Sequence, residues 1–329
     1  MNTKTMFSPS FYVIFIILFS AALYVFVINA TKSTHSDKNN IPLHILHFDV
    51  NKTMIAEDLA GGKTITDVVL HALAEEYRYA WNGTDIMSYA TYIKNHVLPG
   101  EKGDSNLKKL RNQALSQFIE YLEKNQHPLH TVVSTRFQTL HDKLLNNKSV
   151  IFPSFYSSID YMEKHAIPYM IALRTFGEDL DTMIKEIHTH IRPNFFSWQG
   201  IFESNGTLKL ISLTSDETIF LDTPDAIYQF LKQNHENIAI QDNYTLWNKH
   251  GELSEYGKLF PIDIHDKEVV SLFFDDNGDN GIINPRDPVS VHPIAVDDLI
   301  ENGNILVVDM LKAIEYDNYF INHITSMHP

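Results

Sequence analysis

Residues 45–53 read Ile45-Leu46-His47-Phe48-Asp49-Val50-Asn51-Lys52-Thr53. A short apolar run climbs to Phe48 and stops at Asp49. This is the pattern of a buried strand that delivers one carboxylate to its C-terminal end, where open α/β sheets handle ligands. His44 and His47 read as packed strand histidines on the face opposite Asp49. Working outward, two more apolar runs end in polar residues. Residues 168–173 lead into Arg174-Thr175-Phe176-Gly177, and residues 269–274 lead into Asp275-Asp276-Asn277-Gly278. Helical patterns intervene, as parallel strands require of their crossovers. If the three strands are neighbours, Asp49, Thr175, Asp275 and Asp276 share one crevice.

The rest of the chain fits an α/β core with an insertion. After Asp49 about ninety residues turn helical. Val69, Leu73, Tyr77 and Ala80 fall on one face behind Thr66 or Asp67 as a cap, and Leu107, Leu110, Ala114, Phe118 and Tyr121 on the face of a second helix. Pro99-Gly100 and Pro128 punctuate them. Phe155, Ile159 and Met162 mark a further helix, as do Leu180, Ile184, Ile187 and Ile191, which stop at Pro193. Ser204-Asn205-Gly206 between apolar runs predicts a hairpin. Thr223-Pro224 predicts a helix start, and residues 305–308 another strand. The organisation predicted is a tail (1–10), an apolar segment (11–28), a linker (29–40), a core (41–55 and 151–329) and a helical insertion (56–150).

Residues 11–28 are unbroken apolar sequence with Ser20 the most polar member. As a helix rising about 1.5 Å per residue they nearly cross a hydrocarbon core. This predicts a transmembrane signal anchor, hence a single-pass membrane protein with its catalytic domain outside the cytoplasm. A signal peptide cut near Ala30 is the alternative and gives a secreted or periplasmic protein. Length favours the anchor, and Ile28 weakens the cleavage site. Lys4 before the run and Lys32 and Lys38 after it set orientation poorly.

Composition narrows the chemistry. The 329 residues are 44% hydrophobic, ample for a sizeable core. A net charge of -15 argues against a sequence-blind grip on nucleic acid. With no cysteine, thiolate metal sites, disulfides and cysteine nucleophiles are excluded. The 17 histidines include no HExxH, and His188 and His190 are two apart, so on a helix they face different ways. Gly61-Gly62-Lys63-Thr64 fails as a P-loop because Glu57 stands where its first glycine belongs. Residues 275–281 fail as a calcium loop: the glycine comes one place late and Arg286 occupies the final glutamate position. Sequons at Asn51, Asn82, Asn147, Asn205 and Asn243 support no glycosylation reading.

Clustered carboxylates need a cation. Hard oxygen ligands favour magnesium, which brings phosphate oxygens with it, and a free carboxylate can attack phosphorus. Read this way, the residues resemble the haloacid dehalogenase (HAD) superfamily. Its first motif, Asp-x-Asp-x-Thr after a strand, stands here as Asp49-Val50-Asn51-Lys52-Thr53. The second, a strand ending in Thr or Ser, is Thr175. The third, a lysine, is Lys258 in Gly257-Lys258-Leu259-Phe260, with Lys267 as rival. The fourth, an acidic pair after a strand, is Asp275-Asp276. The resemblance covers about residues 41–290.

It implies a Rossmann-like HAD core with a parallel sheet, a helical cap after the first core strand, and magnesium-dependent phosphate-ester hydrolysis on a small molecule or a phosphoprotein. Asp49 would be the nucleophile, forming an aspartyl-phosphate. Asp49, Asn51 through its main-chain carbonyl, Asp275 and Asp276 would hold Mg2+. Thr53, Thr175 and Lys258 would bind the phosphoryl group. Asn51 departs from the pattern, since the family's phosphatases carry a proton-trading aspartate there. Loss of acid–base help costs on the order of 10²- to 10⁴-fold in rate. The alternative implied is a catalytically inactive phospholigand-binding or interaction module.

Overall fold

The computed structural model describes residues 41–56, 63–101, 104–147 and 149–327. The chain divides into two units, Met1–Ile41 and Pro42–Pro329, and every helix and strand among the described residues belongs to the second. The membrane localisation read from residues 11–28 is corrected. No helix among the described residues is long and apolar enough to cross a membrane. The longest, His130–Asn146, has 17 residues and buries just Val133, Leu140 and Leu144, so it is amphipathic. Residues 11–28, with the tail and linker on either side, lie outside the described residues.

The strands are β1 (Leu43–Asp49), β2 (Arg78–Tyr79), β3 (Met87–Ser88), β4 (Tyr169–Thr175), β5 (Phe196–Phe202), β6 (Leu208–Ser212), β7 (Thr218–Leu221), β8 (Asn237–Gln241), β9 (Lys258–Pro261), β10 (Val269–Asp275), β11 (Ile283–Arg286) and β12 (Ile305–Val307). Eight of them form one sheet in the order β12-β10-β1-β4-β8-β5-β6-β7. Neighbours from β12 to β5 are parallel; β5, β6 and β7 are antiparallel. The molecule is thus α/β with a large, mostly parallel sheet, consistent with a Rossmann-like fold. The chain leaves β1 for β4 on one side and returns to β10 on the other. Such a reversal opens a crevice at the carboxyl ends of the strands. Phe48 lies level with Phe274 on β10 and Leu173 on β4, so Asp49, Asp275 and Thr175 reach one edge together.

All seven residues of β1 are buried. Leu46 and Phe48 enter one apolar cluster and Leu43 and Ile45 another, one on each face. A strand covered on both faces reads as a continuous apolar run, which is why it was legible. Phe48 stacks on Phe274 with ring centroids 4.4 Å apart and meets Phe155 and Phe320 edge-on at 5.1 Å. The predicted hairpin joins β5 and β6, with Gly206 at φ +87° in its turn.

Between β1 and β4 the chain forms α1 (Ile65–Glu76), α2 (Ser105–Ser116), α3 (Phe118–Lys124), α4 (His130–Asn146) and α5 (Pro153–Lys164). Two expectations shift here. Helix α1 is capped by Thr64, not Thr66 or Asp67; the Thr64 and Asp67 side chains form a reciprocal capping box. The helix ends at Glu76, so Tyr77 and Ala80 lie beyond it. The second helical pattern is cut at Gln117: Phe118 is buried in α3, whereas α2 buries none of its residues and leaves Leu110 44% exposed. Helix α2 borders cavities that it shares with α1 and with residues 90–94, which leaves it loosely packed. Further on, α6 (Leu180–His190) follows β4, and α7 (Pro224–Asn234) starts at the Thr223 cap with Pro224 in its first turn. Helices α8 (Met310–Glu315) and α9 (Tyr319–Ser326) close the chain.

Candidate functional site

Asp49 sits at the last position of β1, between the ends of β10 and β4. The lysine that meets it comes from outside the main sheet. Among the described residues strand β9 pairs only with β11, in parallel, starting from a 2.7 Å hydrogen bond donated by Lys258 N–H to the Ile282 carbonyl. Gly257 makes this possible, because a Cβ there would collide with the same carbonyl. Lys258 is 1% exposed, and its Nζ donates to Asp49 Oδ1 at 2.5 Å and to Asp275 Oδ2 at 2.8 Å. The ring of Phe176 lies beneath the ammonium, 5.3 Å to its centroid. Lys267, the rival in the sequence, is exposed.

Oxygen atoms of Asp49, Asp275 and Asp276 lie within 4.8 Å of one another. Burial pushes the Asp49 carboxyl well above the usual range; Lys258 opposes this, while Asp275 and Asp276 add to it. Burial likewise pushes Asp276 up to about 6, against the pull of Lys52, whose Nζ is 3.7 Å away. For Lys258, burial favours the neutral amine, but Asp275 and Asp49 outweigh it and hold the ammonium above the ordinary lysine range. Three close carboxylates against one buried ammonium form an oxygen-donor set short of positive charge. Such a set could hold a hard divalent cation.

The other motif residues gather around this cluster. The Thr53 hydroxyl, fully buried, accepts a 3.0 Å bond from the Asp276 N–H and fixes the turn that aims that carboxylate. Thr175 Oγ donates to Asp179 at 3.0 Å and accepts from Gly177 N–H at 2.9 Å. The Asn51 amide reaches the other oxygen of Asp179 at 3.4 Å. Asp179 thus ties the first motif to the second, and nothing in its sequence context marked it.

Below the crevice lies a buried ion pair that sequence reading also missed. Arg174, 1% exposed, donates to Asp242 at 2.9 and 2.5 Å and to the Leu259 carbonyl at 2.8 Å. The guanidinium therefore clamps the residue after Lys258 to the main sheet. Its Nη1 lies 3.3 Å from His47 Nδ1, which must accept because Arg cannot. Burial, with Arg174 adding, holds the His47 pKa well below its ordinary value. His47 is packed as expected, between Phe260 and Phe273, but on the same face of β1 as Asp49, since residues two apart on a strand share a face.

A cavity of about 510 Å³ opens beside the acidic cluster, which it reaches through Asp276 and Lys52. Its far wall is one face of α1, carrying His71 and Glu75, with Asn112 of α2 next to them. The chain matches no protein-family model, no curated protein and no solved structure.

Proposed function

We propose that this chain is a HAD-like, magnesium-dependent phosphohydrolase, with residues 41–55 and 151–329 as its core and residues 56–150 as a helical cap. Its substrate is the phosphate ester of a small molecule or a phosphoprotein. One observation carries this reading: the Lys258 ammonium bridges the carboxylates of Asp49 and Asp275 at the carboxyl edge of the sheet, with Asp276 in the same cluster.

Asp49 Oδ attacks phosphorus, the ester P–O bond breaks, and the departing alkoxide takes a proton from solvent. Water then attacks the aspartyl-phosphate, and inorganic phosphate leaves as the Asp49 carboxylate is restored. Lys258 favours the ionised nucleophile against the burial that disfavours it, and offers its remaining hydrogen to a phosphoryl oxygen. Thr175 and the Thr53 turn shape the same corner. Magnesium, held by Asp49, Asp275, the Asn51 carbonyl and Asp276, would neutralise phosphoryl charge, the dominant need in this class of reaction.

A ligand that binds only the folded state raises the melting midpoint, and beryllofluoride on a carboxylate mimics an aspartyl-phosphate. The full chain is melted with magnesium, with and without beryllofluoride, as wild type and as Asp49→Ala. The expected result is an upward shift in wild type that vanishes in the variant. No shift in either would favour a phospholigand-binding or interaction module without turnover, a reading to which the Asn51 amide, engaged with Asp179, lends its weight.

A further inference from the structure

The proposed hydrolysis needs a group to take a proton from the attacking water, and Asn51 cannot supply it. His71 lines the cavity that borders the acidic cluster. Val68, His71, Ala72, Glu75 and Glu76 form one face of α1 at helical spacing, and that face lines the cavity that also contains Lys52 and Asp276. The imidazole is oriented by a defined network. His71 Nε2 lies 3.0 Å from the Asn112 carbonyl and 3.1 Å from Ser116 Oγ, and that hydroxyl donates to Asp67 at 2.6 Å. A carbonyl can only accept, so Nε2 carries the hydrogen and Nδ1 carries the lone pair. Among the described residues nothing donates to Nδ1. The Asn112 carbonyl and the Ser116 hydroxyl, itself fixed by Asp67, thus hold the imidazole in one tautomer and orientation.

The geometry points to His71 as the general base of the second step, an inference that rests on the hydrolase reading above. Water oxygen bonds to phosphorus as the Asp49 O–P bond breaks and its electron pair returns to the carboxylate. The water proton passes to His71 Nδ1, and the imidazolium then releases it to solvent. Burial, with Lys63 adding, pushes the ring down to about 4 in the ligand-free site, so it is neutral and able to accept. A phosphoryl anion in the cavity would raise it toward neutrality. The bland alternative is that His71 only buttresses α2 against α1.

The test uses the full chain with magnesium and p-nitrophenyl phosphate. It follows the nitrophenol burst, the steady-state rate and the phosphorylated fraction by intact mass. In His71→Ala the burst should persist, the steady-state rate should fall about 10²- to 10⁴-fold, and phosphoenzyme should accumulate. Added imidazole should restore part of the steady-state rate, because the vacated space adjoins an open cavity. His71→Gln, which keeps a donor for the Asn112 carbonyl but has no basic nitrogen, should lose steady-state rate and accumulate phosphoenzyme as His71→Ala does, without rescue, and guards against loss of fold. Equal loss of burst and steady state, or no rescue of His71→Ala by imidazole, would reduce His71 to a buttress. If wild type forms no phosphoenzyme and shows no beryllofluoride shift, the hydrolase reading itself fails and takes His71 with it. Phosphoenzyme in wild type with turnover indifferent to His71→Gln would overturn the role of His71 alone.

Discussion

Asp276 holds its proton up to about 6 in the fold, against an ordinary value of 3.8, and burial is the main reason. Between those two values the folded chain binds more protons at this site than the unfolded chain. Stability from this group is therefore present below about 4 and is lost as pH rises through about 6. Asp49 is displaced in the same direction for the same reason. In both groups burial disfavours the ionised form most, and the neighbouring carboxylates add to it. Without divalent cation, the urea midpoint of wild type relative to Asp276→Asn should fall as pH goes from 4 to 7. Magnesium should remove that fall, because it binds the ionised forms. A difference between the two proteins that stays flat with pH, or that grows as pH rises, would show that Asp276 is not under this load. Among residues, the acidic cluster was legible because each member follows an apolar run that ends abruptly. His71 and Asp179 were not, because a lone polar residue on a helix face or in a turn shows nothing of its partners until the chain is folded.

The strand that carries Lys258 makes no ladder pairing with the main sheet among the described residues; side chains alone tie it there. Strand β9 is held by β11, by the Arg174 bond to the Leu259 carbonyl, and by the close approach of Gly257 to Ile282. The placement of Lys258 is thus the work of a ribbon with few ties, and Gly257 is the point where it is least forgiving. Gly257→Ala should push β9 away from β11, lengthening the Lys258 contacts while leaving the buried core strands in place. The expected outcome is a loss of most of the beryllofluoride-induced melting shift, with the unliganded melting midpoint falling by only a few degrees, about 1 kcal/mol for a chain of this size. A variant that keeps the full shift would mean that Lys258 does not depend on the ribbon's fit. The same elements mark where sequence reading ran out. Strands β1, β4 and β10 stood out as long apolar runs. Strand β8 offers just Ile238-Ala239-Ile240, too short to separate from a helix segment by periodicity. Strand β9 is four residues ending in proline, a residue that argues against a central strand and fits an edge ribbon. Without β8, the Arg174–Asp242 pair, which spans 68 positions of sequence, could not be foreseen.

At the scale of the molecule, the helices inserted between β1 and β4 do not form a separate core. Val69, Leu73, Phe118 and Leu140 belong to the same apolar cluster as Phe48 of β1, Phe155 of α5, and Leu311 and Phe320 of the last two helices. Ion pairs reinforce this seam: Arg136 of α4 reaches Glu315 at 3.1 Å, and Lys143 reaches Asp317 at 2.6 Å. Exposed pairs of this kind add little by themselves; the shared apolar surface is what resists separation, since parting the layers would return it to water. The cavity next to Asp276 therefore lies between layers that share one core, and the insertion should not swing free of the sheet. Hydrogen exchange can decide this. Amides of α1 and α4 should be protected to nearly the same free energy as those of β1 and β4, as members of one cooperative unit, and thermal unfolding of the described region should follow one transition by both far-ultraviolet and near-ultraviolet signals. Early exchange of α1 through α4 as a block, well below the protection of the sheet, would instead mark the insertion as an independently opening lid, and His71 would then meet the acidic cluster only in its closed state.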